Sequence, residues 1–408
     1  MKIALLGYGK EGKAVENYFK KDATFDIFEN FTPEEIRTKD FSSYDIVFRS
    51  PSVPPLGLKN GSSVTRYFFD HCPCPIIGVT ATKGKGTICS FIKSILDSLK
   101  EDAYLVGNIG APAIEILDKL TPNSIVAYEM SSFQLWDLQK SPHIAVIGQL
   151  EPDHLNVHKD YADYLNAKAN ITKYQTESDY LVYYSKNPET TKIADTSNAT
   201  KISYPFDIPT DVKNAINLPG KHNEENAIAA IAAVASYKNL SPEEFLNQNQ
   251  TKIITGLSDF KGLPHRLEFL RELNGVKYYD DNFSTNPSST RVAINAFPEN
   301  NLIVIIGGRD KTDNKDLPEI YEILKTTQIK KIILMGESGH EIANQYQDNR
   351  FITVTSLEEA VNTARSEAEK IAPAIVLMSP SAASFDMFKN VYDRGDQFKN
   401  LISLLTQK

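Results

Sequence analysis

Short apolar runs separated by stretches with helical apolar spacing repeat along most of the chain. Residues 2–6 read as a strand and Gly7-Tyr8-Gly9-Lys10-Glu11-Gly12 as a glycine turn; a helix over Lys13 to Lys20 and a second strand over Phe25 to Glu29 follow. The prolines in Asp70-His71-Cys72-Pro73-Cys74-Pro75 close this segment. Pro75-Ile76-Ile77 begins a second one, with strands at Ser124–Glu129 and Ile144–Ile147 and an alanine-rich helix over Glu224 to Ala235, apolar on nearly every face and expected to be buried. From Gly262 the alternation resumes, with strands at Val276–Tyr279, Leu302–Ile306, Lys331–Met335 and Ala374–Met378. Strands alternating with helices predict an α/β fold with mostly parallel, doubly wound sheets. The expected domains are 1–71, 72–261 and 262–408.

Composition narrows the class. A chain of 408 residues, 41% hydrophobic and 24% charged, is globular and too long for one ordinary core. A net charge of -8 argues against a nucleic-acid partner. The apolar run at Met1–Leu6 is short for a signal peptide and no stretch approaches a membrane span, so a cytoplasmic location without a membrane partner is expected. The three cysteines, Cys72, Cys74 and Cys89, make neither a disulfide framework nor a four-ligand zinc site.

Candidate chemistry begins at Gly78-Val79-Thr80-Ala81-Thr82-Lys83-Gly84-Lys85-Gly86-Thr87, between an apolar run and the helical stripe Ile88, Ile92, Ile95, Leu96, Leu99. A small-residue turn from strand to helix offers backbone N–H groups and a helix N-terminus to phosphates, and points to ATP. Lys85 would reach the outer phosphates. Val79 stands where the usual spacing has glycine and Gly86 where it has a hydroxyl, so Thr87 is the candidate for the magnesium-facing oxygen; a flexible surface turn is the competing reading. The Gly7–Gly12 spacing with Glu29 beyond it fits a dinucleotide fingerprint or simply a tight turn.

Glu129, at a strand end, could reach a magnesium ion or cap the next helix. His154, after the following strand, could bind metal, position an acyl group or be structural. Lys168 shares a helical face with Tyr164, Leu165 and Ile171. It either snorkels to the surface or is buried, with a lowered pKa that lets the amine take up carbon dioxide as a metal-binding carbamate. In the third segment, Lys311 and Ser384 lie on strand-end loops suited to a carboxylate, although each loop alone could be turn chemistry.

In order, Thr80–Thr87, Gly107-Asn108-Ile109-Gly110, Glu129-Met130-Ser131-Ser132-Phe133-Gln134-Leu135, Pro152-Asp153-His154, Ala167-Lys168, Leu218–Asn223, Gly262–Arg266 and Ser379–Asn390 resemble the muramyl ligase family of cell-wall synthesis. The second and third runs, with Ser384-Phe385-Asp386-Met387-Phe388-Lys389-Asn390, are most similar to its D-glutamate-adding branch. The resemblance implies an N-terminal Rossmann-like domain for a UDP-sugar, a central P-loop ATPase and a C-terminal Rossmann-like domain for the amino acid. It implies ATP-driven ligation of D-glutamate to UDP-N-acetylmuramoyl-L-alanine through an acyl phosphate, with two Mg2+ sites and a monomeric enzyme. By motif, Thr82, Lys83, Gly84, Lys85, Gly86 and Thr87 would hold ATP with Asn223, Arg266 and Asp281. Lys85, His154 and Lys168 would be catalytic, and Thr87, Glu129, His154 and carbamylated Lys168 would hold metal. Gly7, Gly9, Lys10, Glu11 and Asn108 would take the UDP-sugar, and Thr285, Lys311 and Ser384 the amino acid. Phe283 stands where the family usually has lysine, and Val391 where an aromatic is expected. Competing readings are a folylpolyglutamate-type ligase, a ligase subunit with a four-cysteine zinc ribbon, which three cysteines cannot build, and a non-catalytic nucleotide sensor.

Overall fold

The computed structural model describes residues 1–155, 157–310 and 314–406. Three sheets carry the fold. The first has the order β2-β1-β3-β4, built from β1 (Lys2–Leu6), β2 (Thr24–Phe28), β3 (Ile46–Arg49) and β4 (Gly61–Ser63), all parallel. The helix after β1 spans Lys10–Phe19, starting three residues before the predicted Lys13. Gly9 supplies its extended N-cap, and Gly12 inside the first turn lies so near β1 that a Cβ there would stand 2.7 Å from the Gly7 carbonyl oxygen. The glycines thus belong partly to the helix, which the sequence pattern assigned wholly to the turn.

The second sheet comprises β5 (Ile76–Thr80), β6 (Asp102–Gly107), β7 (Ser124–Glu129), β8 (Ile144–Ile147), β9 (Tyr180–Tyr184) and β10 (Thr200–Tyr204) in the order β10-β9-β8-β5-β7-β6, all parallel. Its central strands β5, β7 and β8 are buried throughout, as strands covered on both faces must be. The Lys85–Ser98 helix follows β5 and packs on the Pro242–Asp259 helix, where a Cβ at Gly256 would stand 2.7 Å from the Ile95 Cα. The alanine-rich helix, Lys221–Tyr237, is buried from Ala227 through Ser236, as its all-round apolar surface predicts. The helix that carries Lys168 spans Tyr161–Ala169 and so ends before Ile171; the Asn170 side chain donates to the Leu135 and Trp136 carbonyls and the chain leaves in short turns.

The third sheet contains β11 (Glu268–Leu273), β12 (Val276–Asp280), β13 (Asn301–Ile306), β14 (Ile329–Leu334), β15 (Phe351–Thr353) and β16 (Ala374–Met378), in the order β11-β12-β16-β13-β14-β15. Only β11 is antiparallel, joined to β12 by Asn274-Gly275, both at positive φ as a two-residue hairpin turn requires. The chain divides into two compact units: Met1–Ile216 with His222–Phe260, and Asn217–Lys221 with the chain from Lys261 onward. Among the described residues, no helix is long and apolar enough to cross a membrane.

Candidate functional site

The turn after β5 is built around Gly84, the N-cap of the Lys85–Ser98 helix, with φ +85; a Cβ there would meet the Asn226 Oδ1 at 2.6 Å. The loop is pinned from the side by Thr82, whose hydroxyl donates to the Glu151 carbonyl at 3.1 Å, accepts from the Glu151 N–H at 2.9 Å and lies 2.8 Å from the Tyr164 hydroxyl. That side chain is engaged within the protein. Lys85 Nζ donates to the carbonyls of Ala81 and Thr82, at 2.8 and 3.1 Å, so its charge sits over the loop. Lys83 is exposed, and Gly86 and Thr87 stand half-buried in the first helical turn.

Glu129 ends β7, in register with Val79 of β5 and Gly107 of β6. It is 6% exposed, and Asn108 approaches its carboxylate at 3.5 Å. The next helix is capped by Ser131 in a capping box with Gln134, so Glu129 is not a cap. Lys168 is 1% exposed, which removes the snorkelling alternative. Its Nζ donates to Thr80 Oγ1 at 3.1 Å and to the Ala81 carbonyl at 2.9 Å. Burial holds its pKa well below the ordinary lysine value and the nearby Lys85 charge lowers it further, against Asp153 and Glu129. With two hydrogens placed, a neutral amine keeps its lone pair free.

His154 sits at φ +54, its ring half exposed and 5.0 Å from the Phe133 ring. Burial lowers its pKa; Asp153 opposes, while Lys85 and Lys168 add to the fall. Lys85, Glu129, Asp153, His154 and Lys168 therefore share one electrostatic neighbourhood at the carboxyl ends of the central strands, where open parallel sheets bind ligands. Among the described residues, only His265, Glu268 and Asp280 bring three potential metal donors within 4.8 Å of one another. Glu129 and His154 form no such group.

The turn and helix after β1 meet loops of the second sheet within the same unit. Gly7 has φ +87, and a Cβ there would lie 2.7 Å from Ser50 Oγ. Gly9 is exposed, Lys10 donates to the Gly110 carbonyl at 2.9 Å, and Glu11 accepts from Gln134 Nε2 at 3.0 Å. Burial raises the Glu11 pKa, tempered by Gln134 and by the Arg49 and Lys10 charges. Asn108, exposed in the Gly107–Gly110 loop, completes this set. Beside it a cavity of about 300 Å³ is lined by Leu6, Arg49, Lys59, Arg66, Asp137 and Gln139. Arg49, 5% exposed, pairs through two nitrogens with Asp137 and donates to the Val53 and Phe133 carbonyls at 3.1 Å each.

In the second unit, Arg266 is exposed with its guanidinium 5.2 Å from the Phe283 ring centre. Asp281 is buried, accepts from the Leu267 N–H at 3.2 Å and Ser379 Oγ at 2.8 Å, and is pushed up to about 7 by burial, despite those bonds. His265 Nδ1 lies 2.7 Å from Asp280, and Glu268 accepts from the His265 N–H at 2.8 Å and Lys399 Nζ at 2.7 Å, so the three clustered donors already have partners. Arg394 is fully buried: it donates to Asn282 through Nε and reaches the Ala382, Ala383 and Asn282 carbonyls at 3.0, 3.2 and 3.2 Å. It ties the loop after β12 to the loop after β16. Thr285 is half-buried, and the buried Ser384 Oγ has no hydrogen-bond partner. Lys311 lies outside the described residues. Asn223 belongs to the first unit, buried in the first turn of the alanine-rich helix, with its Oδ1 accepting from Asn226 Nδ2 at 3.3 Å.

Sequence reasoning missed Arg49, His158 and Arg394, and, though it marked the loops at Pro264–Arg266 and Asp280–Asn282 as suited to anions, it missed the pairing of His265 with Asp280. Of these only His158, five residues before Asp163, carried a local signal of side-chain pairing; the side-chain partners of the others lie 15 to 112 residues away.

Residues 79–234 match the Mur ligase middle domain, and residues 265–382 the Mur ligase glutamate ligase domain. The chain is 32% identical to the UDP-N-acetylmuramoylalanine–D-glutamate ligase of Clostridium kluyveri, covering 98% of this chain and 96% of that one. It is also 32% identical to the ligase of the same name from Clostridium botulinum, over 89% and 83% of the two chains. Among solved structures it is similar to the MurF ligase of Thermotoga maritima in complex with ADP, with TM-score 0.59, 14% identity and coverage of 88% and 89%. The UDP-N-acetylmuramate-alanine ligase MurC of Thermotoga maritima gives TM-score 0.59 at 16% identity, covering 99% of each chain. These structures share the fold; the sequence relationship to the ligases that cover nearly the whole chain shows that the protein belongs to the Mur ligase family.

Proposed function

We propose that the protein is the D-glutamate-adding ligase of this family, joining D-glutamate to UDP-N-acetylmuramoyl-L-alanine at the expense of ATP. The observation that carries this reading is the gathering of Lys85, Glu129, His154 and the buried amine of Lys168 around the Gly84 turn. The turn fits a polyphosphate: Gly84 adopts a backbone conformation only glycine takes freely, and a cation stands over it at a helix N-terminus. The oxygen and imidazole donors fit magnesium, with Thr87 and Glu129 at one ion and His154 and Lys168 at a second.

ATP with magnesium would supply the phosphoryl group: the lactoyl-alanine carboxylate takes the γ-phosphoryl and ADP leaves, then the D-glutamate amine attacks the acyl carbon, the C–O bond to phosphate breaks, and phosphate and a proton are released. Lys85 offsets charge on the transferred group, and Thr82 holds the loop that carries it. Lys168, neutral in its buried site, attacks carbon dioxide through its lone pair and loses a proton to solvent, replacing an amine with an anionic oxygen donor. Asn223, Arg266 and Asp281 hold the nucleotide, with Lys83 and Gly86 lining the phosphates. Gly7, Gly9, Lys10, Glu11 and Asn108 hold the UDP-sugar, and Thr285, Lys311 and Ser384 the amino acid. The three sheets then serve as domains 1–71, 72–261 and 262–408, in a monomer working in the cytoplasm.

Purified protein with ATP and Mg2+ is expected to release phosphate only when UDP-N-acetylmuramoyl-L-alanine and D-glutamate are both present. Equal turnover with other amino acids would remove the specificity, and no turnover would favour a nucleotide sensor. Lys168→Ala is expected to abolish turnover without rescue by bicarbonate, and to remove the carbamate carbon signal that 13C-bicarbonate gives the unaltered protein in NMR.

A further inference from the structure

One buried side chain outside the proposed chemistry touches the three segments that carry Glu129, His154 and Lys168. His158 is 2% exposed; its Nδ1 lies 2.9 Å from Asp163 Oδ2 and its Nε2 2.9 Å from Ser132 Oγ. A carboxylate only accepts, so Nδ1 carries a proton toward Asp163, and in the neutral ring Nε2 accepts from the Ser132 hydroxyl. Ser132 stands three residues beyond Glu129, His158 four beyond His154, and Asp163 one turn and a half before Lys168 on the same helix.

Ring contacts follow the same path. His158 stacks on Phe133 at 5.3 Å and 7°, and Phe133 contacts the His154 ring at 5.0 Å. On its other side His158 meets Tyr164 edge-on at 5.4 Å. Lys168 Nζ lies 4.9 Å from the Tyr164 ring centre, and the Tyr164 hydroxyl is 2.8 Å from Thr82 Oγ1 of the phosphate-loop segment. Ser132, His158 and Asp163 stand in the order of a nucleophilic triad, but Ser132 is only 2% exposed, so its hydroxyl is closed to substrate.

We infer that His158 is a positioning residue for the metal-binding side of the site, fixing the end of β7, the His154 loop and the Lys168 helix relative to one another. This rests on the reading of Glu129, His154 and Lys168 as metal ligands. Groups bonded directly to a metal ligand typically change its affinity by about 10- to 100-fold when lost; the His158 ring reaches the ligands through Ser132, Phe133 and Tyr164, which sets the expectation at the lower end. His158→Phe keeps a ring against Phe133 and removes both hydrogen bonds; Ser132→Ala removes one.

The test measures binding of Mn2+, in the presence of a non-hydrolysable ATP analogue, from the electron paramagnetic resonance signal of the free ion, with folding checked by circular dichroism melts. His158→Phe is expected to bind Mn2+ about tenfold more weakly or worse, and Ser132→Ala about threefold more weakly. If His158→Phe does not fold, Ser132→Ala decides alone, and an unchanged affinity overturns the role. Unchanged affinity in a folded His158→Phe, beside a defective His154→Ala, overturns the positioning role alone. Unchanged affinity in His154→Ala overturns the metal-site reading and the positioning role with it.

Discussion

Asp281 and Lys168 are both ionisable groups that burial drives toward neutrality, Asp281 against hydrogen-bond donors that favour its carboxylate. Asp281 titrates near 7 in the folded protein, against about 3.9 in an unfolded chain. Between those values the folded state holds the extra proton, so this group's contribution makes stability fall as pH rises from about 4 to about 7 and leaves it level above. Asp281→Asn is therefore expected to narrow the difference between urea midpoints measured at pH 5 and pH 8. A variant whose midpoints keep the original difference would show that Asp281 is not the group responsible. For Lys168, burial made the difference between the two sequence readings: the periodicity put it beside Tyr164 and Ile171, but whether a four-carbon stem escapes to water depends on what covers the helix.

At the scale of elements, glycines serve two separate ends. Gly84 is required by its backbone angle; the atom that a Cβ would strike is the end of the Asn226 side chain, which can move. Gly107 combines φ +108 with a clash against the backbone carbonyl of Glu129, which cannot move without displacing β7. Gly84→Ala is expected to cost about 1 kcal/mol of stability from left-handed strain, and Gly107→Ala about 3 kcal/mol or more, measured by chemical denaturation. Equal losses would mean that the end of β7 yields more easily than its central place in the sheet suggests.

The strands that were legible in the sequence are those buried on both faces, such as Ile144–Ile147 and Ala374–Met378, because they read as unbroken apolar runs. β11 was not read, although Asn274-Gly275 is a strong hairpin signal, because Glu268-Phe269-Leu270-Arg271-Glu272-Leu273 is an edge with mixed polarity and a register shift at Phe269/Arg271. At the site, the residues proposed to carry chemistry could be singled out because they fall in short motifs. The residues that hold them, such as Arg394 and His265, were not, because their bonds join segments far apart in sequence.

At the scale of the whole molecule, the family relationship spans nearly the full chain, while the solved structures preserve the architecture at 14–16% identity. What persists across that distance is the fold; in this chain the strand ends of its sheets supply many of the side chains considered above. Arg49 shows how two of those sheets are held together. Its guanidinium leaves β3 of the first sheet and ends on Asp137 and the Phe133 carbonyl, beyond β7 of the second, almost without contact with water. Removing Asp137 would strand the buried Arg49 charge, at a cost of about 3 kcal/mol, whereas removing Arg49 leaves a carboxylate that still reaches water. Since one apolar core also runs from Ile3, Phe48 and Phe68 to Ile114 and Tyr128, cutting the peptide between Cys72 and Pro75 should not free the first seventy residues: the two fragments are expected to elute together on gel filtration and to melt in a single calorimetric transition, at a lower temperature once Asp137 is replaced.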